Sequence, residues 1–224
     1  MDRGVQEEDS SSPSDSLSLL EAERTGTAGE RIKLRLSDGS CFFICEEDLR
    51  DQGISPFELV PGLQLSGALI RRLKEGSVRR QAREKALDLL ARAPHTTFSL
   101  RLKLLKRGFD APIVEEVLNF LREKEYLDDR RFAESWLRAR TERRPEGRAL
   151  LVSGLLRKGL HREVAEDAVD DFLTPDVEQE HARRALDKLK RSGETDPDRL
   201  MRKLAARGFS YPLIRGVIEE HRES

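Results

Sequence analysis

The sequence is short of most of what marks an enzyme, a secreted protein or a membrane protein. Aromatic residues fill only 5% of its 224 positions, with one tryptophan and two tyrosines, which suits small helical units with thin apolar faces better than a β-sandwich. No apolar run approaches the roughly 18 residues that a membrane span needs. The acidic opening MDRGVQEEDSSSPSDS has no apolar h-region of a secretory signal. A soluble, cytoplasmic protein without a membrane partner is expected. The two cysteines, Cys41 and Cys45, fall four positions apart in a stretch that reads as a strand. At about 3.3 Å per residue they lie roughly 13 Å apart, too far for a disulfide, and buried free thiols are expected. Four scattered histidines, His95, His161, His181 and His221, offer no zinc-ligand spacing.

Catalytic motifs are missing as well. There is no GK dipeptide for a phosphate-binding loop, no HExxH helix and no GxSxG elbow. Carboxylates number 42, so any adjacent pair is weak support for acid–base chemistry. No catalytic residue, cofactor or metal is expected, and the chain reads as a non-enzyme.

What the chain has in abundance is charge, unevenly placed. Residues 1–70 carry 6 Lys and Arg against 14 Asp and Glu, while residues 71–224 carry 35 against 28, so the two parts should meet different partners. Finer alternation follows. Residues 71–107 hold 12 basic and 3 acidic side chains, and 108–129 hold 2 and 7. Residues 130–148 hold 7 and 3, 163–180 hold none and 8, and 181–207 hold 9 and 4. Such a pattern describes either solvated faces whose opposite charges pair, or an array of basic surfaces suited to a long anionic or mixed-charge partner.

The apolar pattern sets the architecture. Residues 1–29 are rich in Ser, Glu and Asp and read as a disordered tail. RIKLRLSDGSCFFIC then reads as a β-hairpin turning on Asp38-Gly39. A two-residue turn there sets Leu36 opposite Cys41, Leu34 opposite Phe43 and Ile32 opposite Cys45 on one face. That face needs a cover, for which a short helix from Glu46 and the segment LQLSGALIRRL, N-capped by Ser66, are candidates. From about residue 78 the chain is helical and repetitive. LLKRGFDAPIVEEVL, LLRKGLHREVAEDAV and KLAARGFSYPLIRGVI align without gaps on Gly108, Gly159 and Gly208. Leu104, Leu155 and Leu204 stand four positions before these glycines, and Val117, Ala168 and Val217 nine after. Ala82, Ala133 and Ala182 stand twenty-six before. Repeats of about 50 residues follow, each of three helices, the glycine sitting just past the second.

The run EYLDDRRFAESWLRAR opens the second repeat. Asp128 reads as an N-cap, Leu127 and Phe132 as a hydrophobic staple, and Asp129 as a first-turn acid favoured by the helix dipole. Phe132, Ala133, Trp136 and Leu137 share one helix face, making Trp136 a core residue rather than a base-stacking platform. A helix–turn–helix reading fails on charge: the helices entering a DNA groove would be IVEEVLNFLREKE and REVAEDAVDDF, whose carboxylates repel phosphate. DNA contact would fall to the preceding basic helices, through phosphates and without sequence preference.

EYLDDRRFAESWLRAR, the Pro145-Glu146-Gly147 loop, LLVSGLLRKGL and the preceding KLLKRGFDAPIVEEVLNFLREKEYLDD together resemble the RecX family of recombination regulators. The likeness is specific over 82–160 and looser over 181–224, and 30–75 resembles an N-terminal extension that some members carry. The loop RRPEGRALL departs from the basic G-P-x-[RK]-[IL] segment more usual in the family. The expected architecture is mainly α, three tandem three-helix repeats in an elongated curved array, preceded by a small β-hairpin and helix domain. Its divisions are 1–29, 30–77, 78–129, 130–180 and 181–224. The resemblance implies a monomeric regulator that binds the RecA filament, modulates recombination, repair and the SOS response, and binds single- or double-stranded DNA weakly. Charge clustering and the family match place the contacts on Arg101, Lys103, Lys106 and Arg107, and on Arg130, Arg131, Arg138, Arg140, Arg143, Arg144 and Arg148. The alternatives are a RecA-independent, sequence-neutral DNA-binding module and a scaffold whose basic faces match acidic ones between repeats.

Overall fold

The computed structural model describes residues 16–25 and 31–223, the side chains of 222 and 223 excepted. The chain forms two compact units, Met1–Glu84 and Lys85–Ser224.

The first unit is built on a four-stranded antiparallel sheet in the order β3-β2-β1-β4, from β1 (Ser16–Thr25), β2 (Arg31–Leu36), β3 (Cys41–Cys45) and β4 (Gln64–Ser66). β1 corrects the expectation of a disordered segment across residues 16–25, while residues 1–15 and 26–29 of that expected tail lie outside the described residues. Its apolar alternation is broken by a register shift between Leu19 and Glu21: Leu19 is fully buried opposite Leu36, while Leu20 and Glu21 after it are both exposed. A bulge of this kind hides a strand from a period-two reading.

The β2–β3 hairpin forms, but its register is one residue off the expected pairing. Ile32 faces Ile44, Leu34 faces Phe42 and Arg35 faces Cys41. The loop has three residues rather than two. Leu36 N–H donates to Ser40 O at 2.9 Å, Gly39 takes φ +81°, and Asp38 Oδ1 accepts from Ser40 N–H at 2.8 Å. A turn closed by a left-handed glycine is the three-residue alternative to the type I′ hairpin. The one-residue slip turns all of β3 over. Ile44 enters the core with Ile32, Leu34 and Leu36, while Phe43 is exposed. The cysteines are not buried: Cys41 is exposed and Cys45 half-buried, and both are free thiols.

α1 (Glu46–Arg50) and the first turns of α2 (Gly67–Arg92) cover the sheet with Leu49, Ile70 and Leu73. Ser66 Oγ accepts from Leu69 N–H at 3.3 Å at the start of α2. The helix then runs without a break through residue 78, where the repeats were expected to begin. Cys45 N–H donates to Asp48 Oδ2 at 3.0 Å, Arg80 of α2 pairs with the same carboxylate, and the Ser77 hydroxyl donates to Phe43 O. A side chain at Gly76 would meet Asp48, so glycine permits this close approach of the two helices.

The second unit holds the helical repeats. After α2 come α3 (Thr97–Leu105) and α4 (Ala111–Glu123). The second repeat is α5 (Asp129–Arg143), α6 (Arg148–Arg157) and α7 (Arg162–Phe172). The third is α8 (Pro175–Arg191), α9 (Pro197–Ala205) and α10 (Tyr211–Glu223), α8 beginning six residues before the expected division at 181. Every aligned apolar position is core: Leu104, Leu155 and Leu204 are fully buried, as are Ala82, Ala133 and Ala182, with Val117, Ala168 and Val217 nearly so. Truncating one such leucine to alanine costs about 2–5 kcal/mol. Gly108, Gly159 and Gly208 take φ of +84°, +85° and +87°, the left-handed exit that ends each second helix.

The repeats meet through equivalent positions. Thr96, the N-cap of α3, donates from its hydroxyl to Lys158 O at 2.8 Å, just before Gly159. Gly147, the N-cap of α6, donates from its N–H to Arg207 O at 2.9 Å, just before Gly208. The turns at Gly159 and Gly208 are therefore sockets for the preceding repeat. A Cβ on Gly159 would strike the Phe98 ring, and one on Gly208 would stand 2.5 Å from Leu150 N.

Candidate functional site

The acidic third helices neutralise the basic helices of their own repeats. Arg101 Nε lies 2.6 Å from Glu115 Oε1, Arg130 Nη2 lies 2.7 Å from Asp171 Oδ2, and Arg148 grips Asp170 with two bonds of 2.6 and 2.9 Å. The Asp170 bond raises the Arg148 pKa and, reciprocally, holds the Asp170 carboxyl below its usual range. In the third repeat Arg183 pairs with Glu220 at 2.9 Å. All these pairs are largely exposed, so each adds about 0–1 kcal/mol to stability. Their consequence is electrostatic: Arg101, Arg130 and Arg148 carry charge that is already balanced.

Arg140 is engaged more deeply. Its Nε and Nη2 donate to the two oxygens of Glu146 at 2.7 and 3.0 Å, and its guanidinium lies 5.1 Å from the Trp136 ring centroid. Glu146 is 2% exposed, so Pro145-Glu146-Gly147, within the polar RRPEG stretch, is a buried joint around an ion pair. Trp136 is half-buried, its indole against Gly154, where a Cβ would stand 3.0 Å from Cζ2. Lys103 is half-buried with Nζ 3.2 Å from His95 Nε2, and burial followed by the Lys103 charge pushes the His95 pKa down.

The remaining expected residues face solvent. Lys106 is exposed, and Arg107 donates only to Lys103 O at 2.8 Å. Arg131 donates to Glu125 O at 2.8 Å and, with Arg138, lines a shallow groove on α5 shared with Glu134 and Glu142. Arg143 and Arg144 are exposed at the end of α5. Among the described residues, Lys106, Arg138, Arg143 and Arg144 make no ion pair with any other described residue.

In the run EYLDDRRFAESWLRAR, Asp128 caps α5, accepting from Arg130 and Arg131 N–H at 2.9 and 3.0 Å. Asp129 accepts from Thr97 N–H at 2.7 Å, tying the first repeat to the second.

Two cations that the sequence reasoning passed over complete the picture. Lys188 of α8 and Arg207, just past α9, line a cleft of about 260 Å³ with Arg140, Arg144 and Glu146. Arg207 is half-buried, and its pKa is lowered first by burial and then by the Arg144 charge. The available signal was the cation preceding every repeat glycine: Arg107, Lys158 and Arg207. Only packing distinguishes the third of them.

Fold and surface thus define a tandem three-helix repeat protein whose basic helices keep part of their charge unneutralised. Residues 82–121 match the family model for the first three-helix domain of RecX, and residues 128–169 that for the second. Regulatory protein RecX of Treponema pallidum is 42% identical over 130 residues, 58% of this chain and 79% of the relative. That of Chlorobium limicola is 30% identical over 139 residues, 62% of this chain and 87% of the relative. A crystal structure of regulatory protein RecX superposes with a TM-score of 0.72 at 22% identity, covering 91% of this chain and 99% of the other. RecX from Lactobacillus salivarius gives 0.59 at 24% identity over 64% and 96%. The chain belongs to the RecX family of regulatory proteins. Among the described residues, no helix is long and apolar enough to cross a membrane.

Proposed function

We propose that the protein docks as a monomer on the cytoplasmic RecA–DNA filament and restrains its recombinase and coprotease activities, with consequences for recombination, repair and the SOS response. Membership of a regulatory family supports the reading. The observation that carries it is the division among the basic residues: Arg101, Arg130, Arg140 and Arg148 are spent within the fold, while Lys106, Arg107, Arg131, Arg138, Arg143 and Arg144 stay on its surface. Surface cations of this kind suit phosphates or carboxylates displayed along a filament, and the contact is sequence-neutral.

The test is inhibition of RecA ATP hydrolysis and strand exchange by the full chain and by Arg138→Glu/Arg143→Glu. The native protein is expected to inhibit at substoichiometric levels and the double variant, folded by circular dichroism, to lose most of that effect. Absence of inhibition by the native chain overturns the proposal. Tight, salt-sensitive binding to bare DNA without an effect on RecA would favour the RecA-independent module instead.

A further inference from the structure

The cleft between the second and third repeats brings cations together from three separate elements: Arg144 at the end of α5, Lys188 on α8 and Arg207 beyond α9. The fourth cation there, Arg140, is already satisfied by both oxygens of Glu146. Glu146 is the one carboxylate in the lining against four cations; it pairs with Arg140 and only partly offsets the charge of Arg207. Like charges have been gathered into a concave site, and one of them, Arg207, is half-buried. That arrangement costs stability in the empty protein and is repaid when an anion enters.

The geometry points to an oxyanion-binding site for a phosphate group, here presented by a nucleic-acid backbone. A lone carboxylate brings a single negative charge, whereas a nucleic-acid strand brings one phosphate charge about every 3.4 Å of its length, which suits cations gathered from three elements. The volume of about 260 Å³ leaves room for one phosphate with part of its hydration. The site rests on the cleft alone. Only the source of the phosphate rests on the filament reading above.

Trp136 supplies the signal, because it is the only tryptophan and carries Arg140, a lining residue, on its ring. Its fluorescence is followed while inorganic phosphate replaces chloride at constant ionic strength. A saturable, phosphate-specific change is expected in the native chain and its loss in Arg144→Gln/Lys188→Gln. No such change, or the same change in the variant, overturns the site. A second arm titrates a single-stranded oligothymidylate. The variant is expected to bind more weakly, its log–log salt slope shallower by about 0.7 for the one phosphate lost. An unchanged slope overturns the nucleic-acid source. Arg207→Met guards against a merely structural effect, since it removes a cation that burial disfavours. It is expected to lose the phosphate response with an unchanged or higher melting temperature; a lower one with the response retained overturns the proposal. Neither titration contains RecA, so failure here is distinct from failure of the filament reading.

Discussion

Replacing Gly147 by alanine tests how the second and third repeats are joined. Gly147 has φ −86° and ψ 172°, extended backbone open to any residue. On conformational grounds alone, alanine there would stabilise the protein by about 0.4–1 kcal/mol, by restricting the unfolded chain. The packing demands the opposite sign. A Cβ at 147 would stand 2.6 Å from Phe209 N and closer still to the Gly208 carbonyl. These are main-chain atoms that cannot rotate aside, so the joint must open. It would then strain or lose Gly147 N–H to Arg207 O at 2.9 Å and Ala149 N–H to Gly208 O at 3.3 Å. Overpacking costs about 1–3 kcal/mol and each hydrogen bond about 0.5–1.5 kcal/mol, so a net loss of about 2–4 kcal/mol is expected. Gly216→Ala is the control, because that glycine lies inside α10 with nothing within 4 Å of a new Cβ; a gain of about 1 kcal/mol is expected from helix propensity. Urea unfolding followed by Trp136 fluorescence reports on the second repeat rather than on the N-terminal sheet. Gly147→Ala as stable as the native chain would refute the account of the joint.

Glu125, exposed beyond α4, is the one non-glycine among the described residues with positive φ, at 57°. Glu125→Gly should stabilise the protein by about 1 kcal/mol, and a measurable loss in the same assay would show that its side chain matters more than its backbone. His181 is 6% exposed, and burial lowers its pKa. The unfolded chain therefore binds the proton more readily, so stability should fall as pH drops below about 6.5, the ordinary histidine value, toward the depressed folded one. Unfolding midpoints measured across that window should decline less steeply in His181→Leu, the residual slope belonging to His95; equal slopes would remove His181 from the account.

Legibility in the sequence followed the range of the interactions concerned. The repeat glycines, the apolar positions aligned on them and the Asp128 cap could be read because each depends on helical period and on neighbours a few residues away. The hairpin was located correctly while its register was not. Asp38-Gly39 is compatible with both a two- and a three-residue loop, and the choice between them inverts every side chain of β3. β1 went unread because its bulge breaks the alternation and its partners, β2 and β4, lie on other stretches of chain.

The site divides in the same way. Sequence alone determined that the basic charge lies on the first two helices of each repeat and, in the first and second repeats, the acidic charge on the third. Whether a given arginine is free could be decided only by tertiary structure, since Arg130 and Arg131, adjacent in the chain, point to Asp171 and to Glu125 O respectively. Likewise Arg107 and Arg207 occupy the same repeat position, yet one is exposed and the other half-buried beside Arg144. Composition and period are properties of a segment, whereas charge neutralisation depends on distance, and distance between remote segments exists only once the chain has folded.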